Sequence, residues 1–192
     1  QGNVWDDANR AALAEAARSG ARYIHPFADA DVISGQGTLA LELLRQALKI
    51  DTLLVSIGGG GLISGVATAI KALSPHTRII GIEPEGAPTL HDSVKAGELV
   101  TLPGITTRAS SLAPRRSEEL NFGIIRDKVD DFLLVSDEEM AEAARWLWKE
   151  MGISAELSAA AGIACLSSGK YQPAEGETVC SIICGTGADG MG

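Results

Sequence analysis

"VSIGGGGLISG", residues 55–65, sets four consecutive glycines between a β-branched apolar run and the first turn of a predicted helix. Glycine loses more backbone entropy on folding than any other residue, so four in a row within ordered structure imply a close approach to the backbone. Strand, glycine loop and helix in that order form an anion cradle, where unpaired N–H groups and the positive end of the helix dipole converge. A triphosphate loop needs Gly, four residues, Gly, then Lys and Ser or Thr; Gly60 and Gly65 have that spacing, but Val66 follows. The dinucleotide fingerprint comes closer, because Gly59, Gly61 and Ser64 approximate G-x-G-x-x-G/A and Glu83 ends the next predicted strand. Four successive glycines offer several N–H groups to one compact anion, which fits a single terminal phosphomonoester better. A tightly packed glycine turn without a ligand is the remaining alternative.

Outward from this loop the chain alternates. "DTLLVSI" is a near-continuous apolar run of the kind buried on both faces of a parallel sheet. A helix over 62–73 follows, closed by Ser74-Pro75, then the strand "RIIGIEPE" and the short helix "APTLHDSVKAG". "RRSEELNFGIIRD" is helical, "DFLLVS" is a strand, and Ser136 with Glu139 forms a capping box for "DEEMAEAARWLWKEM". An Ala-rich helix over about 155–168 precedes a last strand over 178–184. Upstream, "DDANRAALAEAARSG" and "GQGTLALELLRQALK" read as helices, the latter with apolar residues at 39, 41, 43, 44, 47 and 48, and "ARYIHPF" as a short strand. The fold class is therefore α/β, an open, mainly parallel twisted sheet with helices on both faces.

Composition excludes several function classes. Hydrophobic residues are 45% and charged residues 21% of the 192, the balance of an ordinary globular chain. A net charge of −9 without a basic cluster gives nucleic acid nothing to hold. No apolar run reaches membrane-spanning length and "QGNVWDDANR" has no signal-peptide pattern, so no membrane partner and a cytoplasmic location are expected. Three cysteines give neither a disulfide framework nor a zinc spacing; Cys165 and Cys180 read as packing, and Cys184 falls on the same strand face as Cys180. His25, His76 and His91 have no metal or triad spacing and read as structural or solvated, while Trp146 and Trp148 point to different faces of one helix, one expected in the core and one at an interface.

"HPFADADVISGQGTLALELL", "SIGGGGLISGVATAI", "IIGIEPEGAPTLHDSV" and "CSIICGTGAD" occur in this order in a chain that resembles the bacterial threonine/serine dehydratases, pyridoxal-phosphate enzymes of the tryptophan-synthase-β fold type (fold type II), which also include serine racemase. The resemblance covers nearly the whole chain. It implies that Gly58, Gly59, Gly60 and Gly61, with Leu62 opening the helix, hold the phosphate of pyridoxal 5'-phosphate, and that Cys184 lies against the pyridine nitrogen. A thiol there cannot protonate that nitrogen as a carboxylate would, which suits β-elimination from serine or threonine. By the same resemblance Glu83 and the Ala87 carbonyl are ligands of a divalent or monovalent cation, with Thr89 where some relatives carry Asp. "ELSAA" and "GTGAD" depart from the family's E-P-S/A-G-A and Gly-Asn stretches.

The family's covalent anchor, a lysine in a Ser-x-Lys-x-Arg type motif, does not occur: Lys49, Lys71, Lys95, Lys128, Lys149 and Lys170 all lack its flanking residues. The expectation is thus a C-terminal portion, with residues 1–35 the remnant of a small domain and crossover, 36–192 the large phosphate-binding domain, and the lysine segment absent. It would be a cleaved fragment, a truncated frame, or one half of a split enzyme, inactive alone, of a dehydratase converting L-threonine or L-serine to a 2-oxo acid and ammonia. A serine racemase-like portion, an NAD-binding domain using Gly59, Gly61 and Glu83, and a non-catalytic interaction module are the alternatives. Expected partners are a small amino-acid substrate in the complete enzyme and a second copy or segment on the face left by the missing domain, as in a homodimer.

Overall fold

A computed structural model describes residues 5–46 and 49–191; Ala47 and Leu48, placed by their pattern at the end of a helix, lie outside those ranges, as do residues 1–4 and Gly192. The apolar run becomes β1 (Thr52–Ser56), every residue of which is buried. It pairs in parallel with β2 (Arg78–Pro84) on one side and with β4 (Val179–Ser181) on the other, and β3 (Asp131–Val135) lies beyond β2, giving the order β3-β2-β1-β4. Leu54 stands opposite both Ile80 and Ser181.

Period two sorts the side chains into two cores. Leu53, Val55 and Ile79 face α2 (Ala30–Gln46), α3 (Gly61–Leu73), α4 (Thr89–Ala96) and α5 (Glu119–Lys128), meeting Ala40, Ile63, Leu90 and Ile125. Leu54, Ile80, Ile82 and Val135 face α6 (Asp137–Met151) and α7 (Leu157–Ser167). β1 is therefore covered on both faces and flanked on both edges, and the loop leaving its C-terminal end sits where the chain order turns back across the sheet. That position is where ligands bind in open α/β sheets.

The local chemistry explains the helices. Ser136 and Glu139 complete the capping box of α6, the Ser136 N–H donating to the Glu139 carboxylate at 2.7 Å and the Glu139 N–H to the Ser136 hydroxyl at 3.2 Å. α2 and α3 cross backbone to backbone: a Cβ at Gly65 would run into the Ile33 carbonyl and lie 2.7 Å from the Gly37 nitrogen. α2 also runs through the 35/36 division expected from the sequence, as one continuous helix. α1 (Trp5–Ser19) has no buried residue.

Three expectations change. "ARYIHPF" is not a strand, because no ladder partner lies beside it and Pro26 has no N–H to give; the Ala28 N–H instead donates to His25 Nδ1 at 3.0 Å, and the rings of His25 and Phe27 stack on Trp5 at 5.4 and 4.9 Å. β4 ends at Ser181, so Cys184 lies beyond the strand and shares no ladder face with Cys180. Trp146 and Trp148 are both exposed, at 47% and 41%, because the buried face of α6 belongs to Met140, Ala143, Ala144 and Leu147 and the tryptophans flank it. No helix among the described residues is long and apolar enough to cross a membrane.

Glu83, at the end of β2, is fully buried, and its two carboxylate oxygens accept the Leu90 N–H at 2.9 Å and the His91 N–H at 2.7 Å at the start of α4. Burial pushes its carboxyl up to about 8, although those amides pull it down.

Two outcomes follow for stability. Gly65→Ala lowers the unfolding free energy in urea by about 2 kcal/mol through overpacking, whereas Gly123→Ala in α5, with open space at its Cβ position, raises it by about 0.5–1 kcal/mol. Because native Glu83 holds its proton to about 8 while the unfolded carboxyl releases it in the usual range, stability falls as pH rises between these values. Urea midpoints across pH 5–9 check this, and Glu83→Gln flattens the slope.

Candidate functional site

The glycine loop joins β1 to α3 at the floor of a cavity of about 440 Å³. Gly58, Gly59, Gly60, Gly61 and Leu62 line it, and so does Cys184, so the structure brings together every residue expected around the phosphate and the ring. Gly60 adopts φ +91°, a left-handed conformation that only glycine takes easily, and it caps α3. The other three glycines are required by close neighbours. A Cβ at Gly58 would run into the Ser111 carbonyl, one at Gly59 into the Phe27 ring, and one at Gly61 would lie 2.9 Å from the Phe27 backbone.

The orientation of the loop peptides decides what the cavity meets. The Gly59 carbonyl accepts the buried Ser117 hydroxyl at 2.8 Å, and the Gly60 carbonyl accepts the Ser64 N–H at 2.9 Å. Both carbonyls are thus tied into the protein. The N–H groups of Gly61, Leu62 and Ile63, in the first turn of α3, have no intrahelical acceptor. No Lys, Arg or His lines the cavity among the described residues, so its attraction for an anion rests on these N–H groups and the dipole of α3. A cradle made of backbone N–H groups in front of a 13-residue helix fits a phosphomonoester.

Serines, Gln36 and one carboxylate supply the polar side chains of the remaining wall, beside the apolar Trp5, Phe27 and Leu112. Ser56 donates to the Ser158 carbonyl at 2.8 Å; Ser111 donates to Glu156 at 3.1 Å and also meets the Ser158 hydroxyl. Protein atoms packed round its sulfur raise the Cys184 thiol above its usual range, although the residue as a whole is exposed, and Glu156 pushes the same way, so the thiol is neutral at pH 7. Cys165, on the buried face of α7, is pushed up to about 12, which leaves it inert packing, and Cys180 is also raised by burial.

Glu83 and Ala87 are placed elsewhere. The Ala87 carbonyl accepts the Thr89 N–H at 2.9 Å and the Glu83 oxygens are taken by amides of α4, so the two groups expected to ligate a cation are engaged in starting that helix. Among the described residues no three His, Cys, Asp or Glu side chains are grouped as metal ligands. The same burial withdraws Glu83 from any ribose hydroxyl, which removes the acidic partner a dinucleotide would need.

The sequence reading missed Phe27, Ser111, Ser117 and Asn121. Asn121 is buried, and its Nδ2 donates to the Phe27 carbonyl at 2.8 Å and lies 3.3 Å from the Ser64 hydroxyl. Ser56 and Ser158 carried a usable signal, being polar residues within apolar runs, whereas Ser117 and Asn121 look like ordinary surface residues in the sequence.

Residues 1–185 match the family described as pyridoxal-phosphate dependent enzymes. The chain is 40% identical over 181 residues to an L-threonine ammonia-lyase of Geobacter sulfurreducens, covering 94% of this chain and 45% of that protein. It is 40% identical over 174 residues to a serine racemase of Arabidopsis thaliana, covering 88% of this chain and 51% of the other. Among solved structures, maize serine racemase superposes with a TM-score of 0.88 at 37% identity, over 96% of this chain and 57% of that one. The chain thus spans about half the length of the curated relatives it matches. A glycine cradle at the end of a central parallel strand and a family match over nearly all its length together establish that this chain belongs to the pyridoxal-phosphate-dependent enzymes of fold type II, as a threonine dehydratase-like or serine racemase-like domain.

Proposed function

We propose that this chain holds the phosphate of pyridoxal 5'-phosphate for a dehydratase that converts L-threonine or L-serine to a 2-oxo acid and ammonia. The observation that carries the proposal is the glycine loop with its carbonyls tied inward, opening on the cavity that Cys184 shares. Bound pyridoxal phosphate supplies an electron sink for bonds at the α-carbon of an amino acid. The chain's own residues do the holding. N–H groups of the loop and of the first turn of α3 bind the phosphate, and Phe27 packs against Gly59 and Gly61 on the other side of the loop.

Cys184 would face the ring of a bound cofactor with a neutral thiol rather than a carboxylate, and such a site would suit loss of a β-hydroxyl. The similarity to an L-threonine ammonia-lyase of Geobacter sulfurreducens supports the lyase reading. Among the described residues no lysine lines the cavity: Lys71 is paired with Asp130 at 2.6 Å, Lys170 lies between Glu85 and Glu139, and Lys49 pairs with Asp51 at 2.8 Å. In this reading the covalent anchor comes from outside these 192 residues, and the chain alone binds the cofactor without turning substrate over.

Titration of the chain with pyridoxal 5'-phosphate is expected to quench tryptophan emission saturably, since Trp5 lines the cavity. Bound cofactor is expected to slow maleimide labelling of exposed Cys184, while Cys165 stays unlabelled until the chain unfolds. Borohydride should leave no stoichiometric adduct; a single lysine modified one-to-one would refute the external anchor. Binding of NAD in place of pyridoxal phosphate would refute the proposal as a whole.

A further inference from the structure

The peptide between Gly59 and Gly60 carries no Cβ on either side, so it can turn over at little steric cost. Its orientation has to be set by a group outside the loop. Ser117, fully buried and absent from the cavity wall, donates its hydroxyl to the Gly59 carbonyl at 2.8 Å. In a planar trans peptide the carbonyl and the following N–H point to opposite sides. Holding the Gly59 carbonyl inward therefore turns the Gly60 N–H toward the cavity. If the peptide turned over, a carbonyl oxygen would face the bound anion instead, replacing attraction with repulsion. The neighbouring peptide has no such freedom, since the Gly60 carbonyl is fixed by the Ser64 N–H in the first turn of α3.

We infer that Ser117 is a positioning residue for the phosphate cradle, setting the polarity of the glycine loop through its hydrogen bond to Gly59. The inference deepens the proposed cofactor role and rests on it. Ser117 does not touch the ligand. Its effect is confined to the phosphate end, which separates it from a residue that merely stabilises the fold.

The test compares pyridoxal 5'-phosphate, pyridoxal and inorganic phosphate on the full chain and on three variants, with thermal unfolding run in parallel. Ser117→Ala is expected to weaken pyridoxal 5'-phosphate and inorganic phosphate by about tenfold, the scale of one lost hydrogen bond to a group facing a charge. Pyridoxal, which lacks the phosphate, should bind within about twofold of wild type on the same ground. Ser117→Thr, which keeps the hydroxyl, should restore the difference between the two cofactor forms. Should the alanine variant fail to fold, Ser117→Cys, nearly the same size with a weaker donor, should show a smaller loss in the same direction. Equal losses for pyridoxal and its phosphate, or no loss in the Ala or Cys variant, would overturn the inference. If wild type binds inorganic phosphate but not pyridoxal 5'-phosphate, the cofactor reading fails while the role of Ser117 is still read from phosphate affinity. Binding of neither overturns both.

Discussion

Four segments far apart in sequence, around Phe27, Leu90, Ser111 and Ile125, close on one loop, and they can do so only because that loop has no side chains. Phe27 packs on Gly59 and Gly61, the Ser111–Leu112 backbone packs on Gly58, and Ile125 and Leu90 crowd the place where a Gly60 Cβ would be. Phe27 is held by the buried Asn121 of α5, and Ser117 by its bond to Gly59. The glycines therefore meet protein on their outer side and an open cavity on their inner side. Both demands exclude a Cβ, and the two together explain a run of four where a simple turn would need one or two.

The electrostatics of the cavity follow from the same arrangement. The chain carries a net charge of −9, and among the described residues the cavity wall holds Glu156 and no basic side chain. An anion is attracted only where N–H groups and the dipole of α3 converge, over distances shorter than the screening length of about 8 Å at physiological salt. Attraction that is local and directional places one phosphate at one point. Apart from Glu156, serine hydroxyls, the Gln36 amide, a neutral thiol and apolar groups such as Trp5, Phe27 and Leu112 line the rest of the cavity, so the remainder of a ligand would be met by hydrogen bonding and contact.

Glu83 does structural work at the end of β2. By resemblance it is a cation ligand, and by spacing it stands where a dinucleotide fold would put its acidic partner. In the structure it is buried beneath α4, where its oxygens replace the acceptors that the first turn of the helix lacks. Thr89, where a further acidic ligand would stand, donates to the Pro114 carbonyl at 2.7 Å and is itself buried. The acid that ends β2 thus fastens α4 and the loop beyond it to the sheet.

The sequence by itself determined the parallel α/β architecture and the glycine loop between its central strand and the following helix. "DTLLVSI" has the apolar continuity of a strand buried on both faces, Ser136 and Glu139 have the spacing of a capping box, and four glycines after a strand and before a helix leave few alternatives. These are local signals, written in periodicity and residue type. The tertiary structure alone decided that "ARYIHPF" is a turn, since a strand exists only where a neighbour offers a ladder and His25 offered its ring nitrogen to the Ala28 N–H instead. It alone decided that both tryptophans of α6 are exposed, that Cys184 leaves the strand to join the glycine loop, and that Ser117 holds the Gly59 carbonyl. Each of these depends on which distant segment arrives at a given place, and a hydrogen bond spanning 58 residues leaves no trace in the pattern around either partner.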